Sequence, residues 1–268
     1  MAEGTERLFA EERQNRILAL LNENGKVLIP ELCTHFSVSS VTVRNDLNEL
    51  ERQGRLRRTH GGAIPVSKTA LEPDFRQKQV HRPQQKEALA AYAATLVEDG
   101  DTLVLDTGTT MLALAQKLTA KHRLTVVTND LKIAALLDEQ SDHTVILTGG
   151  TLRRGFYCTT GPAVIDQLRR HRADTCFLST NGFSLRAGFT TPDEMHAEMK
   201  REMAHISAQT VMLCDSEKFG CDLFSVIMPL SEADRIVTDN GLDRSDREAL
   251  LRAGLPLTVV DLQGNAEE

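Results

Sequence analysis

The chain has 268 residues, of which 41% are hydrophobic, and a formal net charge of −7, which is enough apolar material for one large core or two unequal ones and too much for a disordered chain. No run of about 18 apolar residues occurs, and the opening MAEGTERLFAEERQNR carries four acidic residues where a secretory leader would begin basic, so a cytoplasmic protein with no membrane partner is expected. Five scattered cysteines, Cys33, Cys158, Cys176, Cys214 and Cys221, lack CxxC spacing and a matching histidine cluster, which predicts reduced, mostly packing thiols and no metal site.

Along the chain, Ile17, Leu18, Leu20 and Leu21 recur at helical spacing, predicting a first helix from Glu11 to Leu21 with a stop over Asn22 to Gly25. A second, short helix opens on Pro30 and carries Leu32 and Phe36 four apart before Ser37-Val-Ser39 interrupts it. Ser39 or Ser40 then caps a third helix whose inward positions are Val43, Leu47 and Leu50, with Gly54 as its end. Leu56 to Thr59, His60-Gly61-Gly62 and Ala63-Ile64 read as strand, turn and strand, a wing whose glycines would permit positive φ. These elements predict a winged helix-turn-helix over residues 1–66. Three prolines and little periodicity from Pro65 to Pro83 place a linker over 67–83.

From residue 84 to 268 the pattern changes. A helix from Gln84 to Val97 precedes β-branched runs at 101–106, 124–128, 144–148, 175–179, 210–215, 235–238 and 257–260, separated by helical segments. This is the signature of an α/β, doubly wound, mainly parallel sheet.

The acidic total argues against nucleic acid, but the charge is uneven. Residues 1–70 hold ten basic and nine acidic side chains, and Arg52, Arg55, Arg57 and Arg58 form a local basic patch followed by His60. On the third helix Ser40, Val41, Thr42, Arg44 and Asn45 occupy the leading exposed face, a mixture suited to reading bases and holding phosphates. Asp46 is expected to be structural, in local hydrogen bonds. With the wing, the expected DNA-binding set is Ser40, Thr42, Arg44, Asn45, Arg57, Arg58, Thr59, His60, Gly61 and Gly62, and the expected partner is double-stranded operator DNA.

Arg13 with Ile17, Ser40-Val-Thr-Val-Arg-Asn-Asp-Leu47, Leu50-Glu51, Gly54 and Arg58-Thr-His-Gly-Gly-Ala63 together resemble the N-terminal domain of the DeoR/GlpR family of bacterial sugar-operon regulators. The resemblance implies winged-helix DNA binding, usually repression, through Thr42, Arg44 and Asn45 on the recognition helix and Arg58 with His60 to Gly62 in the wing.

In the second part, four loops follow predicted strands: Asp106-Thr-Gly-Thr-Thr110, Thr128-Asn129-Asp130, Thr148-Gly149-Gly150 leading to Arg153, and Asp215 to Gly220 with Lys218. Ligands of parallel sheets bind beyond the carboxyl ends of the strands, where amides and hydroxyls meet anions. One such loop alone could be a helix cap; four at one sheet edge favour a phosphate on a polyhydroxy body. Neither GxGxxG nor GxxxxGK[ST] is present, so no cofactor is expected.

This region is similar to the same family's effector domain through these loops, Gly161-Pro162, Gly188-Phe-Thr-Thr-Pro192 and Lys200. The resemblance implies a fold related to ribose-5-phosphate isomerase and a phosphorylated sugar effector, contacted by Asp106, Gly108, Thr109, Thr110, Asn129, Gly149, Arg153 and Lys218; the loop reading adds Thr107 and Gly150. The chain departs from the family at Ser179-Thr-Asn-Gly182, where an Asp-Gly turn is common, and at His196, where an acidic residue is usual.

A sugar-phosphate isomerase or deaminase with an appended DNA-binding domain is the competing reading, since Asp106, Asp130, Asp215 or Glu194 could supply a base. A nearly complete winged helix has no purpose in a simple isomerase, so a non-enzymatic regulator is favoured. Half-site recognition predicts an even-numbered homo-oligomer, a dimer or tetramer.

Overall fold

The computed structural model describes residues 10–24, 26–59, 61–64 and 72–267, and the chain divides into two compact units, Met1–Leu71 and Glu72–Glu268. Gly25, His60 and the linker stretch 67–71 lie outside the described residues.

The first unit runs α1 (Ala10–Asn24), β1 (Val27–Leu28), α2 (Ile29–Phe36), α3 (Ser40–Arg52), β2 (Arg57–Thr59) and β3 (Gly62–Ile64). Pro30 occupies the first turn of α2, and Ser37 ends that helix in the left-handed region at φ 52°. Of the two candidate caps, Ser39 is the one used: its hydroxyl accepts from the Thr42 N–H at 3.2 Å. The expected inward residues Ile17, Leu21, Leu32, Val43, Leu47 and Leu50 form one core with Leu56 and Ala63.

The wing is a three-stranded sheet, not the two-stranded hairpin that the sequence predicts. β3 lies between β2 and β1, with Arg58 opposite Ala63 and Val27 opposite Ala63 on the other side. Neither Gly61 nor Gly62 has positive φ. Gly62 is required by close approach instead, because a Cβ there would stand 1.9 Å from the Val27 carbonyl oxygen.

The second unit begins earlier than expected. Residues 72–83, read as linker, are folded into it: α4 (Phe75–Val80) carries a reciprocal capping box in which Asp74 accepts from the Gln77 N–H and Gln77 returns the bond. There follow α5 (Pro83–Thr95), β4 (Thr102–Leu105), α6 (Thr109–Leu118), β5 (Thr125–Thr128), α7 (Leu131–Gln140), β6 (Thr144–Leu147), β7 (Thr151–Arg153), β8 (Cys158–Thr160), α8 (Pro162–Leu168) and β9 (Ala173–Ser179). The chain continues through β10 (Gly182–Ser184), β11 (Gly188–Thr191), α9 (Glu194–His205), β12 (Ser207–Cys214), β13 (Ser225–Met228), β14 (Arg235–Asp239), α10 (Arg244–Arg252) and β15 (Leu257–Val260).

The seven strands expected from the sequence are the seven of the main sheet, in the order β15-β14-β12-β9-β4-β5-β6 and all parallel. Side chains alternate across it. Leu103, Leu105, Val126, Phe177 and Leu213 pack with α5, α6 and α7, whereas Val104, Val127, Cys176, Leu178 and Met212 pack with α8, α9 and α10. Helices therefore cover both faces, as a doubly wound sheet requires. From β4 the chain winds outward through β5 and β6, then returns to the other side of β4 as β9. The loops after β4 and β9 consequently diverge and leave a crevice, the topological switch point where such sheets bind ligands.

Candidate functional site

On α3 the apolar stripe fixes which residues face outward. Val43, Leu47 and Leu50 are buried, so Ser40, Val41, Arg44 and Asn45 are exposed on the other side. Thr42 is half-buried and shares a hydrogen bond of 3.0 Å with the Ser39 hydroxyl, so it serves the cap as well as the surface.

Asp46 is structural, but its bonds are not local. Arg13 donates to it from Nε at 2.6 Å and from Nη2 at 3.1 Å, and Gln14 donates at 3.2 Å, so it ties α1 to α3. In the basic patch Arg52 is paired with Glu49 at 2.6 Å. Arg58 is drawn onto α3, its N–H donating to Glu51 at 2.8 Å and its guanidinium to Asn48. Thr59 and Gly61 are exposed; Gly62 is buried.

In the second unit a cleft of about 230 Å³ lies at the switch point. Thr107 to Thr110 line it after β4, Ser179 to Asn181 after β9, and Asp215, Glu217, Lys218 and Cys221 after β12; Pro73, Lys78, His81 and Lys86 close it from the segment before the sheet. Gly108 is the N-cap of α6 at φ 114° and offers no side-chain cap, so the first N–H groups of that helix remain available to an anion.

Two buried carboxylates hold these loops. Asp130 accepts from the Thr107 hydroxyl at 2.8 Å and the Gly108 N–H at 3.1 Å, and with its other oxygen caps α7 through Lys132 and Ile133 at 2.8 and 3.1 Å. Burial pushes its carboxyl above the usual range. Asp106 accepts from the Ser179 N–H and hydroxyl, each at 2.9 Å, and from the Lys200 ammonium. Burial opposes its charge, yet Lys200 and the hydrogen bonds hold it below the usual range. Asp106, expected at the effector, thus lies beneath the cleft and joins the two diverging loops.

The cationic lining is richer than predicted. Lys86 is buried, and among the described residues its ammonium donates to the carbonyls of Lys78 and His81 at the end of α4 and to no carboxylate. Burial and the neighbouring Lys218 lower it to about 8. Lys218 lines the same cleft, lowered by burial, with Asp215 opposing that shift. Asp215 is itself taken by Arg82, which also donates to Asp239 at 2.9 Å, while His81 pairs with Glu217 at 2.7 Å.

The remaining expected residues sit apart from this lining. Asn129 is buried and donates to the Thr159 carbonyl at 2.8 Å, with its own Oδ1 lacking a partner among the described residues. The Gly149 N–H donates to Gln167 at 3.0 Å, and a Cβ on Gly150 would meet the Thr160 carbonyl at 2.7 Å, so both glycines shape a turn. Arg153 pairs with Glu72 at 2.8 Å and lies 3.8 Å over the Phe156 ring. Glu72 connects the two groups, accepting also from Lys78 at 2.6 Å and Asn181 at 3.2 Å. Although burial opposes it, Lys78 and Arg153 bring the Glu72 carboxyl down to about 2. His196, in the first turn of α9, is buried, and burial with Arg153 and Lys200 lowers it to about 4.

Sequence reading missed Glu72, Lys78, His81 and Lys86. The first three fall in the stretch taken for linker, where the one available signal was the Asp74-to-Gln77 capping box. Cys158, Cys176 and Cys214 are buried, with thiols pushed up to about 11, 11 and 12, so they pack rather than react. Among the described residues no cluster of metal ligands occurs, and no helix is long and apolar enough to cross a membrane.

Residues 13–69 match the DeoR-like helix-turn-helix domain and residues 81–240 the DeoR C-terminal sensor domain. The HTH-type transcriptional regulator YgbI of Escherichia coli is 40% identical over 248 residues, covering 92% of this chain and 97% of its own. The HTH-type transcriptional regulator GlpR of Haloferax volcanii is 37% identical over 250 residues, 93% and 97% of the two chains. GolR of Listeria innocua, also an HTH-type transcriptional regulator, is 35% identical over 254 residues, 95% and 100%. Among solved structures, ribose 5-phosphate isomerase A of Methanocaldococcus jannaschii aligns over 52% of this chain and 55% of its own at TM-score 0.38 and 14% identity. The eIF2B delta subunit of Chaetomium thermophilum aligns over 85% and 70% at TM-score 0.44 and 12% identity. Both likenesses are too weak to bear on function.

Proposed function

The chain belongs to the DeoR family of HTH-type transcriptional regulators, and from that premise we propose that it represses a sugar-catabolism operon and answers to a phosphorylated sugar bound at the switch point. Ser40, Thr42, Arg44 and Asn45 meet operator DNA in the major groove, with Arg57 to Gly62 alongside as the wing. In the sensor the phosphate lies at the N-terminus of α6, against Thr107 to Thr110 and Lys218, while the sugar hydroxyls reach toward Asn181. Asp106, Asn129, Gly149, Gly150 and Arg153 act behind this contact by shaping the loops.

One observation carries the ligand assignment: two ammonium groups, of Lys86 and Lys218, line a cleft in which no carboxylate is bonded to either among the described residues. The nearby Asp215 is bonded to Arg82 and offsets the two lysines only in part; buried charge that is incompletely balanced is costly, and a phosphate dianion supplies the balance.

The protein acts in the cytoplasm, as an even-numbered homo-oligomer, and without catalysis. Every acid weighed as a base is engaged: Asp106 with Lys200, Asp130 with two helix amides, Asp215 with Arg82, and Glu194 with Arg201 at 3.0 Å. An operator gel shift challenged with a panel of pentose and hexose phosphates tests both units together. Release of DNA by one phosphorylated sugar is expected; turnover of that sugar at enzyme-like rates would overturn the non-enzymatic reading.

A further inference from the structure

Val41 is the second residue of α3 and is 64% exposed, the more exposed of the two large apolar side chains displayed by the described part of the first unit, the other being Leu28. It takes no part in the core, which is complete without it. Helix formation does not ask for it either, since a β-branched residue gives up side-chain freedom in a helix. Val41 is therefore not held by the packing of the unit and is open to contact from outside it.

Its place on the helix narrows that contact. Val41, Arg44 and Asn45 stand at i, i+3 and i+4, so the three side chains are neighbours on one face. All three are exposed, and they lie in the first turns, the end of a recognition helix that approaches base edges. Arg44 and Asn45 carry the hydrogen-bonding groups suited to guanine and adenine. The apolar feature that a base pair offers in the major groove is the 5-methyl group of thymine.

We propose that Val41 is a specificity-determining residue that packs against a thymine 5-methyl group beside the bases read by Arg44 and Asn45. The assignment rests on the helix-turn-helix reading and adds a sequence preference to it. A phosphate contact would not reward a valine, and a protein partner would not distinguish thymine from uracil.

The test uses the full chain and an operator duplex defined by footprinting, with each thymine replaced singly by deoxyuridine, which removes the methyl and keeps every hydrogen-bonding group. At one position in each half-site the wild-type protein should lose roughly fourfold in affinity, the equivalent of about 0.8 kcal/mol for one buried methyl. Val41→Ala should lose a similar factor on the thymine duplex and be indifferent to uracil at that position. Val41→Thr, which keeps one methyl and the helix shape, should fall between them. The proposal is overturned if no single uracil weakens the wild type, or if Val41→Ala stays as sensitive to uracil as the wild type. In either of those outcomes, Arg44→Ala binding still reports independently on the helix-turn-helix assignment.

Discussion

Arg13 on α1 and Asp46 on α3 form a buried ion pair, 33 positions apart in sequence, with Nε and Nη2 at 2.6 and 3.1 Å from the two carboxylate oxygens. The pair fixes α3, the proposed recognition helix, against α1, from the side opposite Val41, Arg44 and Asn45. Asp46→Ala would strand the guanidinium in the core, and losing one member of a buried pair costs about 3–5 kcal/mol. Thermal unfolding should show the first unit melting earlier with the sensor unit unchanged, and operator binding should fall although Asp46 faces away from DNA. An unaltered melting profile would mean that the pair adds nothing to the fold.

The sequence pattern was most legible where periodicity and burial coincide. All seven strands of the main sheet were readable because each is a short β-branched run, most of them largely buried and only the edge strand β6 largely open to solvent, and Val43, Leu47 and Leu50 gave the orientation of α3 directly. Partners distant in the chain were not readable. Nothing local marks Asp46 as belonging to Arg13, or Asp106 to Lys200. The strand Val27–Leu28 is too short to show a period, so the third strand of the wing was invisible. The segment 72–83 misled because its prolines and charges look like linker, whereas Glu72, Lys78 and Arg82 are polar because they bind Arg153, Asn181, Asp215 and Asp239.

Arg44 and Arg58 should separate base reading from phosphate holding. Arg44→Ala is expected to cost roughly 1–3 kcal/mol on the operator and to relax its sequence preference. Arg58 is already tethered to Asn48, so its guanidinium is pre-positioned. Arg58→Ala should weaken binding on all sequences alike and lower the log–log salt slope by about 0.9 for one lost phosphate contact. Fluorescence anisotropy across a salt series, on operator and scrambled duplexes, checks both; two variants behaving like the wild type would misplace the DNA surface.

Acid should loosen the sensor unit in two stages. His196 is neutral in the fold, with its pKa lowered from 6.5 to about 4. The unfolded chain therefore takes up that proton first as the pH falls through this range, and stability declines with it. Glu72, lowered from 4.5 to about 2, contributes stability that is present above 4.5 and lost as the pH falls toward 2. Urea unfolding of His196→Gln should lack the upper stage and that of Glu72→Gln the lower. A wild-type sensor equally stable at pH 7 and pH 4 would contradict the His196 assignment, and one equally stable at pH 4.5 and pH 2 would contradict that of Glu72.

Ligand binding should carry a pH dependence of opposite sense. Lys86, lowered by burial and Lys218 to about 8, begins to lose its proton near that pH in the ligand-free cleft. The groups around it are Lys78, Arg82, Asp215 and Lys218, with His81 and Glu217 at the cleft lining. A bound phosphate favours the charged ammonium, so the bound state holds more protons and affinity should fall as the pH rises through about 8. Lys218→Ala should weaken the phosphorylated sugar while leaving ligand-free operator binding near the wild-type value, because Lys218 belongs to the sensor unit. Coupling energies of about 1–3 kcal/mol predict a five- to 150-fold change in operator affinity at saturating ligand, and operator DNA must change ligand affinity by the same factor. Calorimetry between pH 7 and 9 on both proteins decides the matter. Equal affinity for the free and phosphorylated sugar, or a Lys218→Ala titration that matches the wild type, would remove the phosphate from this cleft.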